Sequence, residues 1–161
     1  MDPLAYSILA PVKGERVHRP VRQLLEMFLE GVPSGAASIR EGVDDSLNEY
    51  FEVCPRNPRS AKIRVLRDAE AEYVLAVGSG TVLEIAAEAR QNPGLARDSA
   101  EEDFLTVCRA VAQGKLVERV SAIFGRSLFV YGRISLNGRA LRSFSGLPLF
   151  PCWKTLKYEP Y

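Results

Sequence analysis

Two groups of residues could do chemistry in this sequence. The first is Gly78-Ser79-Gly80-Thr81, set between two apolar runs in AEYVLAVGSGTVLEIAAEA. Consecutive backbone N–H groups in such a loop can cradle an anion, including the phosphate of a cofactor. The second is a set of carboxylates on strand-like segments, Glu52, Glu72, Glu84 and Glu118. Two of them brought together across a sheet could work as acid and base. A nucleophilic Ser or Cys engine would need the one histidine, His18, and no residue beside it in sequence orients it. Cys54, Cys108 and Cys152 are odd in number and irregular in spacing, which suits neither a disulfide framework nor a zinc site. Cys108 falls on an apolar helical stripe and reads as a buried thiol.

VLAVGSGT, Val74 to Thr81, resembles the first motif of class I S-adenosylmethionine methyltransferases, in which a strand and an acidic residue lead into glycines beside the cofactor. The resemblance covers eight residues and departs from the motif at two positions: Ala76 stands at the acidic place and Val82 at a later glycine. The dinucleotide fingerprint fails at Leu83, and no Gly-Lys-Ser/Thr triplet is present for a P-loop. The pattern of a hairpin fits better. Tyr73, Leu75 and Val77 alternate on one side of the glycines and Leu83 and Ile85 on the other, so all five can share one face. The glycines are then turn residues, and no cofactor is expected. The strand carboxylates have basic company in Lys62, Arg64 and Arg119, which reads as cross-strand charge pairing on a solvent face.

The elements around these residues form a recognisable order. A short strand is expected at Leu4–Ala10. Arg19–Glu30 is expected to be a helix, with Pro20 in its first turn and Val21, Leu24, Leu25, Phe28 and Leu29 at helical spacing. Residues 32–46, rich in Gly, Ser and Asp, read as a mobile loop. Strands follow at Asn48–Cys54, Ala61–Arg67, Glu72–Val77 and Thr81–Ala86. In the second of these, Ile63 and Val65 oppose Lys62 and Arg64. A second helix is expected over 99–113, with Ser99 and Glu102 as a capping box and Glu101 to Asp103 in the first turn. Phe104, Leu105, Cys108, Val111 and Ala112 form its stripe, and Gly114 ends it. Strands at Leu116–Phe124, Ser127–Leu136 and Arg139–Phe144 complete a meander, with Asn137-Gly138 as its clearest hairpin turn. The tail, residues 146–161, is expected to be irregular, yet its aromatic content demands a surface to lie on.

These elements predict one α+β domain over 1–161. Its largely antiparallel sheet of about seven strands is packed on one face by two helices. A chain of 161 residues can bury such a core without metals or disulfides. The opening lacks the form of a secretory signal and no run reaches transmembrane length, so the expected location is cytoplasmic.

Charge is divided along the chain. From Lys115 onward eight basic residues meet only Glu118 and Glu159, a balance of +6. The total is +1, which leaves −5 for the preceding part. The expectation is a non-catalytic protein-binding domain with an acidic protein partner. An immunity-type inhibitor that neutralises a toxin enzyme is the named example. The expected binding residues are Arg126, Tyr131, Arg133, Arg139, Arg142 and Trp153, because Arg, Tyr and Trp most often carry interface energy. A nucleic-acid-binding module using the same basic sheet is the alternative. A small-molecule binder or enzyme with a pocket between sheet and helices is the third.

Overall fold

The computed structural model describes residues 19–45, 47–69, 72–86, 93–123, 126–146 and 153–161. His18, Cys152 and the expected strand Leu4–Ala10 lie outside them. Among the described residues are two helices, α1 (Arg19–Glu30) and α2 (Pro93–Ala112), and nine strands. The strands are β1 (Ala37–Val43), β2 (Glu49–Pro55), β3 (Ile63–Ala69), β4 (Glu72–Val77), β5 (Thr81–Ala86), β6 (Leu116–Ile123), β7 (Arg126–Leu136), β8 (Arg139–Gly146) and β9 (Trp153–Lys157).

The expected antiparallel α+β architecture is present, with its strands divided between two sheets. One has the order β1-β2-β3-β4-β5 and the other the order β8-β7-β6-β9. They approach one another where β8 meets β5, and Ser143 Oγ donates to the Val82 carbonyl 2.5 Å away. The two helices lie against the inner faces. Val21, Leu24, Leu25 and Phe28 of α1 are buried, as are Phe104, Cys108 and Val111 of α2. They pack with Val53, Ile63, Leu75 and Val77 of the five-stranded sheet and with Leu116 and Ile134 of the other. Each such side chain contributes roughly 1.5–3 kcal/mol by leaving water.

The alternation read from the sequence holds. Tyr73, Leu75, Val77, Leu83 and Ile85 are all buried on one face, and β4 pairs with β5 from Glu72↔Ala86 to Val77↔Thr81. Gly114 ends α2 with φ 71°, and Gly138 turns the β7–β8 hairpin.

Three expectations need correction. The expected loop over 32–46 contains β1, paired along its full length with β2 from Ala37↔Pro55 to Val43↔Glu49. Its Gly and Ser content hid a seven-residue edge strand in which Ala37 and Ile39 are only half-buried and Val43 is exposed. Helix α2 begins at Pro93, so Ser99 is interior and does not cap it; the proline suits a first turn. The tail is not irregular throughout. Trp153–Lys157 pairs antiparallel with β6, and the aromatic residues around it find their surface there and against the core.

Residues beyond β9 bind the opposite side of the core. Glu159 N donates to the Arg59 carbonyl, Ser60 Oγ to the Pro160 carbonyl, and Tyr161 N to the Ala112 carbonyl. Tyr161 packs edge-on to Phe28, 6.3 Å between ring centres, and donates its hydroxyl to the Ala61 carbonyl. The tail thereby joins the β2–β3 loop to the end of α2. Among the described residues no helix is long and apolar enough to cross a membrane.

Candidate functional site

The Gly-Ser-Gly stretch is the turn of the β4–β5 hairpin, and it does hold an anion. The anion is the carboxylate of Glu118, from β6 of the other sheet. Oε2 accepts hydrogen bonds from Ser79 N at 2.8 Å, Ser79 Oγ at 2.7 Å and Tyr158 Oη at 2.5 Å. Oε1 accepts from Thr81 N at 3.0 Å, Thr81 Oγ1 at 2.5 Å and Gly80 N at 3.3 Å. Three donors on each oxygen leave no lone pair for a substrate proton, and the side chain is fully buried. The turn is therefore a filled anion nest, and the arrangement binds two sheets and the tail together.

Two glycines make the approach possible. Gly78 has φ 66°, and a Cβ there would lie 2.8 Å from both Glu118 Oε2 and Tyr158 Oη. A Cβ on Gly132 of β7 would lie 2.0 Å from Thr81 Oγ1. Burial pushes the Glu118 carboxyl upward, but donation from Thr81, Tyr158 and Ser79 outweighs it and holds the group below the usual carboxylate range. The Tyr158 phenol is pushed up by burial and by the carboxylate it serves.

The solvent-face expectation fails at Glu52, only 5% exposed although paired, and at Glu118. The latter sits between Leu116 and Val120 in the β6 alternation, and that spacing alone marks an inward position. Glu52 does follow the cross-strand expectation. It stands opposite Arg64, whose Nη2 and Nε lie 2.8 and 3.2 Å from Oε1. The guanidinium also covers the Tyr50 ring at 4.2 Å. Cys54 Sγ donates to Glu52 Oε2 at 3.3 Å. Burial and this carboxylate raise the Cys54 thiol above its ordinary value, opposite to what a nucleophilic cysteine needs. Cys108 is buried in the core and pushed up to about 12.

The expected binding residues can now be placed. In β7, Val130, Gly132 and Ile134 point inward and are buried, so Phe129, Tyr131 and Arg133 lie on the outer face. The register extends that face across the sheet in three rows. Trp153, Ser121, Phe129 and Gly146 form one; Thr155, Arg119, Tyr131 and Phe144 the next; Lys157, Val117, Arg133 and Arg142 the third. Tyr131, Arg133, Arg142 and Trp153 thus share one surface. Arg139 does not: it lies in register with Leu136 on the other face, and its Nη2 is 3.5 Å from Asp103 of α2. Arg126 begins β7, and its side chain lies outside the described part.

The same face holds residues outside the expected binding set: Phe144, Arg119, Lys157 and Phe129. Phe144 is 69% and Trp153 38% exposed. Tyr131 and Phe144 lie 4.9 Å apart at 41°, and Phe129 and Trp153 lie 5.1 Å apart at 83°. The Arg119 guanidinium is 5.8 Å from the Trp153 ring centre. Among the described residues of this face there is no carboxylate. The signal for the missing members was the pairing register, which a single strand's pattern does not reveal.

A groove lies between the ends of α1 and α2 and the tail, lined by Phe28, Val32, Ala112 and Tyr161, with Arg109 its charged group. Among the described residues no group of three or more His, Cys, Asp and Glu could hold a metal ion. Compared with protein-family models, curated proteins and solved structures, the chain matches none.

Proposed function

We propose that this chain is a non-catalytic protein-binding domain that takes an acidic partner on the outer face of its four-stranded sheet. The observation that carries the reading is the composition of that face. Exposed Phe144 and Trp153, with half-buried Tyr131 and buried Phe129 packed among them, grade into Arg119, Arg133, Arg142 and Lys157, with no carboxylate among the described residues of the face. Exposed aromatics next to arginines are the composition of an interface centre. The guanidinium groups match carboxylates bidentately. The mutual ring tilts of 41° and 83° favour a continuous apolar patch over a set of parallel stacking planes. The narrower form of the proposal is an immunity-type inhibitor that holds a toxin enzyme by an acidic surface.

Nucleic-acid binding is the second reading, favoured by the cationic row beside exposed rings. A photo-crosslinking residue at position 144, compared with one at exposed Met27 on α1, separates the two in the native host. Recovery of one protein from position 144 and not from position 27 supports the proposal. Recovery of nucleic acid, or of the same products from both positions, counts against it. A fall in turnover of a recovered enzyme on binding would establish the narrower form.

A further inference from the structure

The β1–β2 hairpin presents an apolar tip that the described residues leave uncovered. Leu47 is 85% exposed and Val43 56% exposed. Leu47 also has φ 64°, a left-handed conformation that a leucine adopts only at a cost. The turn is braced around it. Leu47 N donates to the Asp44 carbonyl and Asp44 N to the Asn48 carbonyl, each at 2.9 Å. Asn48 N and Nδ2 donate to the two Asp44 carboxylate oxygens at 2.8 and 3.1 Å. A large apolar side chain held outward in a strained, braced turn is arranged for contact with another surface.

The charge around the tip says which surface. From Glu41 to Glu49 the sequence carries four acids, Glu41, Asp44, Asp45 and Glu49, and no Lys or Arg. Glu41 is engaged by Arg22 of α1, and Asp44 braces the turn. The segment therefore brings an acidic, apolar knob. The outer face of the four-stranded sheet offers the counterpart, an aromatic patch beside four cations. We infer that the hairpin tip of one copy docks on that face of a second copy, in head-to-tail association. The inference rests on the proposed binding role of the face and names a partner that would occupy it. The two patches are different surfaces, so the contact is heterologous and each copy retains one free end. A copy bound in this way has its face covered, and self-association would compete with capture of an acidic protein.

Sedimentation velocity over a concentration series at low salt tests the inference, using two variants of the full chain. Leu47→Asn removes the apolar tip and places a residue tolerant of the left-handed conformation there. Arg133→Glu with Arg142→Glu reverses charge on the face. The wild type should grow in mass with concentration, and added salt should reverse the growth. Each variant alone should stay a monomer. Their mixture should form a dimer and nothing larger, because the Leu47→Asn chain keeps an intact face and the double variant an intact tip. A monomeric wild type at the highest soluble concentration overturns the inference. So does growth that either variant retains, or a mixture that fails to combine. The Leu47→Asn chain should still crosslink an acidic protein from position 144. If it does while self-association fails, the proposed function stands without this inference. If the position-144 crosslink fails as well, both fall.

Discussion

Thr81 Oγ1 lies 2.5 Å from Glu118 Oε1, joining the β4–β5 turn to β6, the first strand of the other sheet's meander. A buried carboxylate with a full set of donors is strongly coupled to the fold, because an amide in its place keeps one acceptor oxygen and turns an NH2 toward the three donors on the other. Replacing Glu118 with glutamine should cost about 3 kcal/mol or more, read by urea unfolding. Tyr158→Phe, which removes one donor to the charge, should cost about 1.5–3 kcal/mol. Equal stability in both variants would remove Glu118 from its central place.

The same site sets an acid dependence. The folded Glu118 carboxyl is held below its ordinary range. Its stabilisation is therefore fully present above the unfolded value and lost as pH falls through the folded one. Wild-type unfolding free energy should drop below the ordinary carboxylate range, and the Glu118→Gln chain should show a shallower drop. Urea titrations at stepped acid pH check this.

The turn should reject a side chain and take no cofactor. Gly78→Ala strains a left-handed position and brings a Cβ against Glu118 and Tyr158, so it should cost about 2 kcal/mol or more. Calorimetry should detect no micromolar binding of S-adenosylmethionine or a dinucleotide. Binding that the Gly78→Ala chain loses would show that the nest serves a ligand other than Glu118.

The alternation of β3, β4 and β5 was legible in the sequence because one face of each is buried. Both helices were legible from their apolar stripes. What escaped was set by partners distant in sequence. β1 looked like a loop because its inward alternation is short, Ala37 and Ile39 followed by Glu41, among Ser, Gly and charged residues. β9 was hidden among prolines and is held by β6, about forty residues earlier in sequence. Glu118 was read by its charged neighbour Arg119, when its neighbours on the same face were Leu116 and Val120. The proposed binding residues were picked by type and charge, and four of them, Tyr131, Arg133, Arg142 and Trp153, share the outer face. Register alone separates Arg133 from Arg139 and adds Phe144 and Arg119.

Thiol labelling tests the environment of Cys54. Burial and Glu52 raise its thiol, and burial raises that of Cys108. Peptide mass spectrometry after a maleimide pulse at neutral pH should find both slow. Glu52→Gln removes the negative charge, lowers the Cys54 pKa and should speed its labelling while leaving Cys108 unchanged. Labelling of Cys54 that Glu52→Gln leaves untouched would contradict the hydrogen bond's role.

The most direct measurement of the proposed binding role compares Arg133→Glu with Arg139→Glu in affinity for the protein crosslinked from position 144. Both residues are exposed arginines near the Asn137-Gly138 turn, but only Arg133 lies on the aromatic face. Both substitutions should move stability by about 0.5 kcal/mol or less, apart from the exposed Arg139–Asp103 pair, worth at most about 1 kcal/mol. Arg133→Glu should weaken binding about tenfold or more, a loss of about 1.4 kcal/mol, and flatten its salt dependence. Arg139→Glu should bind like the wild type. Equal affinity of the wild type and Arg133→Glu at low salt, or a loss confined to Arg139→Glu, would contradict the assignment of this face as the interface.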